Sequence, residues 1–284
     1  MRRQIGSPRA ANAARILSLT LLAFGLLASC FGDNQGGAAL RLSAPDELDG
    51  GDTAELTISV DGAANNEEVN VELSASTGTL SSAGVVVVTD AQGHGSVSVQ
   101  YTAANETGPA TINAAASAPR LGTVGATKQI KLYEVTRVGN VTPITNTVKE
   151  QDYLTAFPIN IPTNGTLRKL GVVAPEPATV VIGLYDNTPS IDGDTPNAAL
   201  ARGELSLAAG VNELIVEPRA LSAGKYWIVV TYNGEATTAR DAINLVTGRT
   251  LTDYSFGRGL PDTLPSMNLT TNMGERNLYI VLRR

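Results

Sequence analysis

The 284-residue chain contains one cysteine, one histidine and one tryptophan. A lone cysteine cannot close a disulfide within the chain, so the fold must rest on its apolar core, which this length can supply. With one thiol and one imidazole, zinc, copper and haem centres are effectively excluded, and neither metal nor cofactor is expected. The histidine, His94, lies in Gln92-Gly93-His94-Gly95, a tight turn before a strand, and no G-x-S-x-G elbow accompanies it. Long runs of Glu, Lys and Ala are missing, while Val, Thr, Gly and Asn abound. That bias points to an all-β chain with frequent turns. Carboxylates are the acid–base groups that remain, and a pair of them could run glycoside hydrolysis. Asp61, Glu72 and Asp90, however, fall in turns or on outward strand positions that suit a solvated face. The expectation is a protein that is not an enzyme.

What is present begins with the N-terminus. Arg2, Arg3, Arg9 and Arg15 lie in a stretch without acids, and residues 16–28 are thirteen positions of mostly Leu, Ile, Ala and Phe. A membrane-spanning helix needs about 20 apolar residues, so this run has the length of a signal-peptide h-region instead. It ends on Leu27-Ala28-Ser29-Cys30, which resembles the lipobox of bacterial lipoproteins. That resemblance implies a signal peptide over 1–29 and a lipid on the Cys30 sulfur, with no cofactor. It further implies a membrane partner reached through that lipid. Phe31, where an Asp would favour inner-membrane retention, implies an outer-membrane destination. Sulfur is the nucleophile that accepts the lipid, and each buried methylene holds with about 0.8 kcal/mol, so two or three chains anchor durably.

Loss of the signal would remove four arginines, leaving 17 basic against 27 acidic residues. Such an excess argues against nucleic acid as a partner. Residues 30–37 read as a short tether.

From 38 to 135 short strands alternate with turn signals. Ala54, Leu56, Ile58 and Val60 alternate with polar residues, as do Val69, Val71 and Leu73, and Val97, Val99 and Tyr101. About seven such strands in a hundred residues predict an Ig-like β-sandwich. Val69-Asn70-Val71-Glu72-Leu73-Ser74, Thr77-Gly78-Thr79-Leu80, Val88-Thr89-Asp90-Ala91-Gln92-Gly93 and Gly108-Pro109-Ala110-Thr111-Ile112 resemble the bacterial Ig-like domains of the invasin/intimin group. That resemblance implies a rigid spacer.

A second domain is predicted over 138–284, with the boundary near 133–137. Val180–Tyr185 and Tyr226–Tyr232 are apolar on both faces, which predicts central strands of a jelly-roll-like β-sandwich. Leu278, Ile280 and Leu282 read as a closing strand. The stretch from Gly234 to Met267 reads as polar and irregular, with a short helix over Ala239–Thr247 and a loop over Gly257–Pro265. Val181–Asp186 and Leu221–Trp227 resemble uncharacterised β-sandwich modules of bacterial surface proteins.

Candidate contact residues are few. Tyr254 and Phe256 lie in that polar stretch and could stack on a sugar ring or anchor a loop. Trp227, Tyr226 and Tyr185 sit in alternating strands, where rings are more often core. Asp186, Asp192 and Asp194 gather oxygens that calcium could use, without the spacing of an EF-hand, so an inter-strand turn is the competing reading. The sequence thus predicts a lipid-anchored envelope protein with an adhesion, scaffold or ligand-contact role. A carbohydrate-binding surface lipoprotein is the alternative, and the partners implied are a cell-surface protein or a polysaccharide.

Overall fold

Alternation of apolar and polar side chains governs the first hundred described residues. The computed structural model describes residues 39–119, 121–149, 153–191, 193–234 and 236–284; the signal, Cys30, the tether and Asp192 lie outside them. The strands are β1 (Ala39–Ser43), β2 (Glu47–Asp49), β3 (Thr53–Asp61), β4 (Glu68–Ala75), β5 (Thr79–Leu80), β6 (Gly84–Val88), β7 (Gly95–Thr102), β8 (Gly108–Ala118) and β9 (Gly122–Tyr133). They form two sheets, β1-β3-β7-β5 and β2-β9-β8-β4-β6, with β2 parallel to β9 and the other pairs antiparallel. This is the Ig arrangement of two facing sheets, antiparallel but for the short edge strand β2. Ile58 and Val60 from β3 meet Val69, Val71 and Leu73 from β4 in the interior, and Leu56 packs with Ile112 of β8 and Ile130 and Leu132 of β9. Their neighbours Glu55, Glu68, Asn70 and Glu72 are exposed.

The chain crosses into the second sandwich at one residue, Glu134. The next strands are β10 (Val135–Gly139), β11 (Thr147–Lys149), β12 (Leu154–Ile161), β13 (Gly165–Ala174), β14 (Ala178–Thr188) and β15 (Thr195–Leu207). After them come β16 (Gly210–Leu221), β17 (Gly224–Tyr232), β18 (Thr237–Leu251), β19 (Asn268–Arg276) and β20 (Leu278–Arg283). Because β10 pairs with β20, Val135–Arg137 already belong to the second module, three residues ahead of the expected start at 138. One sheet has the order β10-β20-β13-β16; the other contains β12-β17-β14-β15. The chain therefore alternates between sheets as eight jelly-roll strands do. Strands β11, β18 and β19 extend the larger sheet beyond β12.

Residues 239–247 are not a helix. They lie in β18, which pairs with β11, β19 and β12 in turn. The Thr- and Val-rich flanks on both sides of Arg240–Ala242 have partners waiting, and tertiary pairing overrides the weak local helical preference. The irregular stretch shrinks to residues 252–267.

Both faces of the larger sheet are dry. Val180, Ile182, Leu184, Ile228 and Val230 fill the space between the sheets, with Leu167 and Leu170 of β13 and Ile280 of β20 opposite. Val181, Tyr185, Trp227 and Val229 point the other way, with Leu154 and Ala156, and are covered by Tyr254, Leu260, Leu264 and Met267. The covering strap is fixed to β15 by Leu264 N–H to Asn197 O (2.9 Å) and Ala199 N–H to Asp262 O (2.8 Å). Buried Arg249 ties it further, donating to Met267 O at 3.3 Å and to Gly193 O at 2.9 Å.

Candidate functional site

Tyr254 is a buried member of the strap cluster and donates its hydroxyl to Gly259 O at 2.8 Å. Phe256 is half-buried beside it. Trp227 is 2 % exposed and its indole N–H donates to Asn187 Oδ1 at 2.8 Å. Tyr185 is fully buried, donates to Pro261 O at 2.6 Å, and burial pushes its hydroxyl up to about 12. These four rings therefore bind the strap to the sheet, and the three buried ones, Tyr185, Trp227 and Tyr254, do not lie on an open surface.

Asp186 accepts the Ala198 N–H at 2.6 Å, and Asp194 pairs with Lys225 at 2.8 Å. That Lys225 contact holds the Asp194 carboxyl below its usual range. Both carboxylates thus brace the turn around β15 and β17. His94 places Nδ1 2.8 Å from Asp61 Oδ1, and Asp90 accepts the backbone N–H groups of Gln92 and His94. These contacts close the turn before β7.

The joint between the modules is rich in ion pairs. Strand β13 bulges between Leu167 and Lys169, against both β16 and β20. Two residues then stand between the inward-facing Leu167 and Leu170, so Arg168 and Lys169 both leave on the outer face. Arg168 Nε donates to Asp49 Oδ2 at 3.0 Å and Arg283 Nε to Asp49 Oδ1 at 2.6 Å. The Asp49 carboxylate is only 4 % exposed and has both oxygens engaged. Lys169 reaches Asp52 in the first module and Glu213 of β16 at 3.0 Å in the second. Arg137 and the Tyr279 hydroxyl also donate to Glu213, each at 3.0 Å. Burial pushes the Glu213 carboxyl up, but Lys169 and Arg137 outweigh it and hold it below its ordinary value. The Tyr279 ring lies flat over Gly171, where any Cβ would stand 2.1 Å from the ring. Arg283 also stacks on the Tyr133 ring at 3.7 Å and pairs with Glu47 at 3.2 Å. None of these residues stood out in the sequence; the doubled basic pair Arg168-Lys169, between two buried leucines, was the available signal.

A cleft of about 540 Å³ opens elsewhere on the second module, between residues 139–146 and 241–244, with Glu275 beside them. Buried Asn277 fixes one wall: its Oδ1 accepts Ile144 N–H at 2.9 Å and its Nδ2 donates to Thr142 O at 2.5 Å. The other wall is a bulge, since four residues of β18 oppose the single Glu275 between the pairs Arg240–Arg276 and Leu245–Gly274. Asp241 Oδ1 accepts the N–H groups of Ile243 (2.7 Å) and Asn244 (3.1 Å), which hold its carboxyl below the usual range. Gly274 is required there, because a Cβ would meet Asp241 O at 2.2 Å. The lining is amide, hydroxyl and carboxylate, with Val141 and Ile243 exposed among them. Among the described residues, no group of three or more His, Cys, Asp or Glu side chains is placed to hold a metal ion.

No protein-family model matches the sequence. No curated protein matches it either. Solved structures share limited likeness. The adhesin InvE of Yersinia pseudotuberculosis aligns over 85 % of this chain and 61 % of its own, at 13 % identity and a TM-score of 0.25. The CARDB domain of the PF1109 protein from Pyrococcus furiosus, solved with di-metal ions, aligns over 34 % of this chain and 91 % of its own, at 17 % identity and a TM-score of 0.27. A Salmonella alpha-2-macroglobulin aligns over 84 % of this chain and 16 % of its own, at 11 % identity and a TM-score of 0.28. Scores this low do not match overall arrangements, so the two-sandwich architecture rests on the strand order of this chain itself.

Proposed function

We propose that the chain is a lipid-anchored, non-enzymatic protein of the bacterial cell envelope, in which the Ig-like module carries a jelly-roll contact module. The observation that carries this reading is the charged joint, which commits the buried Asp49 and Lys169 to fixing one module to the other. A general acid needs a raised pKa. Glu213 and Asp241 are instead held below their ordinary values by cations or backbone N–H groups. The cleft walled by Asn277 and Asp241 is preformed and polar, which suits recognition of a surface polysaccharide or protein. The lipobox ending at Cys30 supports the anchor and, with Phe31, an outer-membrane destination.

The anchor is tested by growing producing cells on labelled palmitate. Label is expected in the full chain and lost in Cys30→Ala. A chain that takes no label, or a Cys30→Ala chain that keeps it, refutes the anchor. The carbohydrate-binding alternative uses the same cleft: insoluble polysaccharide should retain the full chain and lose it on Glu275→Lys. Retention that Glu275→Lys leaves intact removes the cleft from that role.

A further inference from the structure

Strand edges expose unpaired backbone groups, and proteins normally guard them with charge, proline, bulges or brevity. The described edges of this molecule follow that rule with one exception. Strand β1 carries Arg41, β10 carries Arg137, β15 carries Pro196, Arg202 and Glu204, β16 carries Glu213, Glu217 and Pro218, and β19 carries Glu275 and Arg276. Strands β2, β5 and β11 have three residues or fewer, and the part of β9 that β2 leaves uncovered carries Lys128. Strand β6 is Gly84-Val85-Val86-Val87-Val88, with no charge, no proline and no bulge, and it closes the five-stranded sheet. Val86 is 47 % and Val88 61 % exposed.

The geometry points to β6 as a self-association edge, joining two copies of this chain across a two-fold axis at Val86. The register selects which backbone groups are free. Leu73 N–H donates to Ala83 O and Thr89 N–H to Glu67 O, so bonding to β4 falls in phase with Val85 and Val87. The N–H and C=O of Val86 and the N–H of Val88 therefore face away from β4. Gly84 O accepts the exposed Ser82 hydroxyl and keeps a second lone pair. In antiparallel pairing, Val86 of each copy exchanges both bonds with Val86 of the other. Val88 N–H then reaches Gly84 O on both sides, using only groups that are free.

The occupant is a second copy because the surroundings are self-complementary. Asp90 would stand opposite Ser82, and Val88 opposite Gly84, where no side chain obstructs it. On β4, Glu68 lies beside Val88 and Glu72 beside Gly84. Across the joined sheets Glu68 of one copy and Glu72 of the other are three strand spacings apart, about 14 Å. That exceeds the screening length of about 8 Å at physiological salt, so the acidic surface does not oppose pairing. A five-residue edge buries far less than the roughly 1,200 Å² of a standard interface, so the dimer is weak and depends on concentration.

Sedimentation equilibrium of the full chain in mild detergent, over a wide concentration range, tests the proposal. A monomer–dimer equilibrium is expected for the wild type. Val86→Lys should weaken it by roughly ten-fold or more, since two ammonium groups would face each other across the axis. Val88→Lys, at the more exposed position, should weaken it too and serves if Val86→Lys changes the thermal unfolding midpoint. Val211→Lys, at an exposed valine on β16, should leave it unchanged. A wild type that stays monomeric throughout, an association that both β6 variants retain, or assembly beyond dimers overturns the inference.

Discussion

The two sandwiches solve the same packing problem with different surfaces. In the Ig-like module each central strand is dry on one face and wet on the other, so Ile58 is buried while Glu55 and Glu72 meet solvent. In the jelly-roll module β14 and β17 are dry on both faces, because the strap over 252–267 provides a second roof. A strap whose regular structure is one 3-10 turn, Phe256–Arg258, builds a core by bringing Tyr254, Leu260, Leu264 and Met267 to one sheet face. The jelly roll thus has two apolar layers where the Ig module has one.

Hollowing out the second apolar layer has the largest expected effect. Trp227→Ala should cost about 3–5 kcal/mol, as much as a deletion inside an ordinary core. Leu56→Ala in the first module should cost about 2–5 kcal/mol, and urea unfolding measures both. A Trp227→Ala loss near zero would reduce the strap to a surface loop. Next comes the joint: Asp49→Ala strands two arginines and should cost about 3 kcal/mol, read by the same unfolding curves. Leu264→Ala should cost about 2 kcal/mol and raise amide exchange in β17 without raising it in β3. Tyr254→Phe removes only the bond to Gly259 and should cost about 1 kcal/mol, with the fold unchanged by circular dichroism.

The smallest effect is one of pH. Glu213 has its folded carboxyl below the ordinary 4.5, so its contribution is complete above that value and drains as pH falls through the depressed one. Burial pulls the Lys169 ammonium down, but Asp52 and Glu213 outweigh it and hold it above its ordinary 10.5, so it stays charged in acid and the pair is lost there only as its carboxylate partners take up protons. The urea midpoint should fall on going from about pH 6 to about pH 3, and fall less in Glu213→Gln.

Much of this architecture is legible in the residues. Period-two alternation placed β3, β4 and β7, and the doubly apolar runs 180–185 and 226–232 marked strands buried on both sides. Strand β18 was not legible, because its Ala-Arg-Asp-Ala stretch has no local pattern and becomes a strand only by pairing with β11, β19 and β12. The strap was equally silent, since its apolar residues follow no period. Tyr254 and Phe256 drew attention as rings in polar company, and a sequence cannot tell a ring that faces a ligand from one that roofs a sheet. The cleft was missed because it depends on Asn277 and on a four-residue bulge, both visible only after folding. The joint was missed for a related reason: one extra residue in β13 turns two adjacent cations to the same side.

Glu134 alone links the modules, and its carbonyl receives the Arg284 N–H at 3.0 Å. A connection of one residue stores no slack. A pull that parts the sandwiches must break the contacts of Asp49, Lys169 and Arg283 nearly together, so the pair transmits tension as a stiff lever and not as beads on a cord.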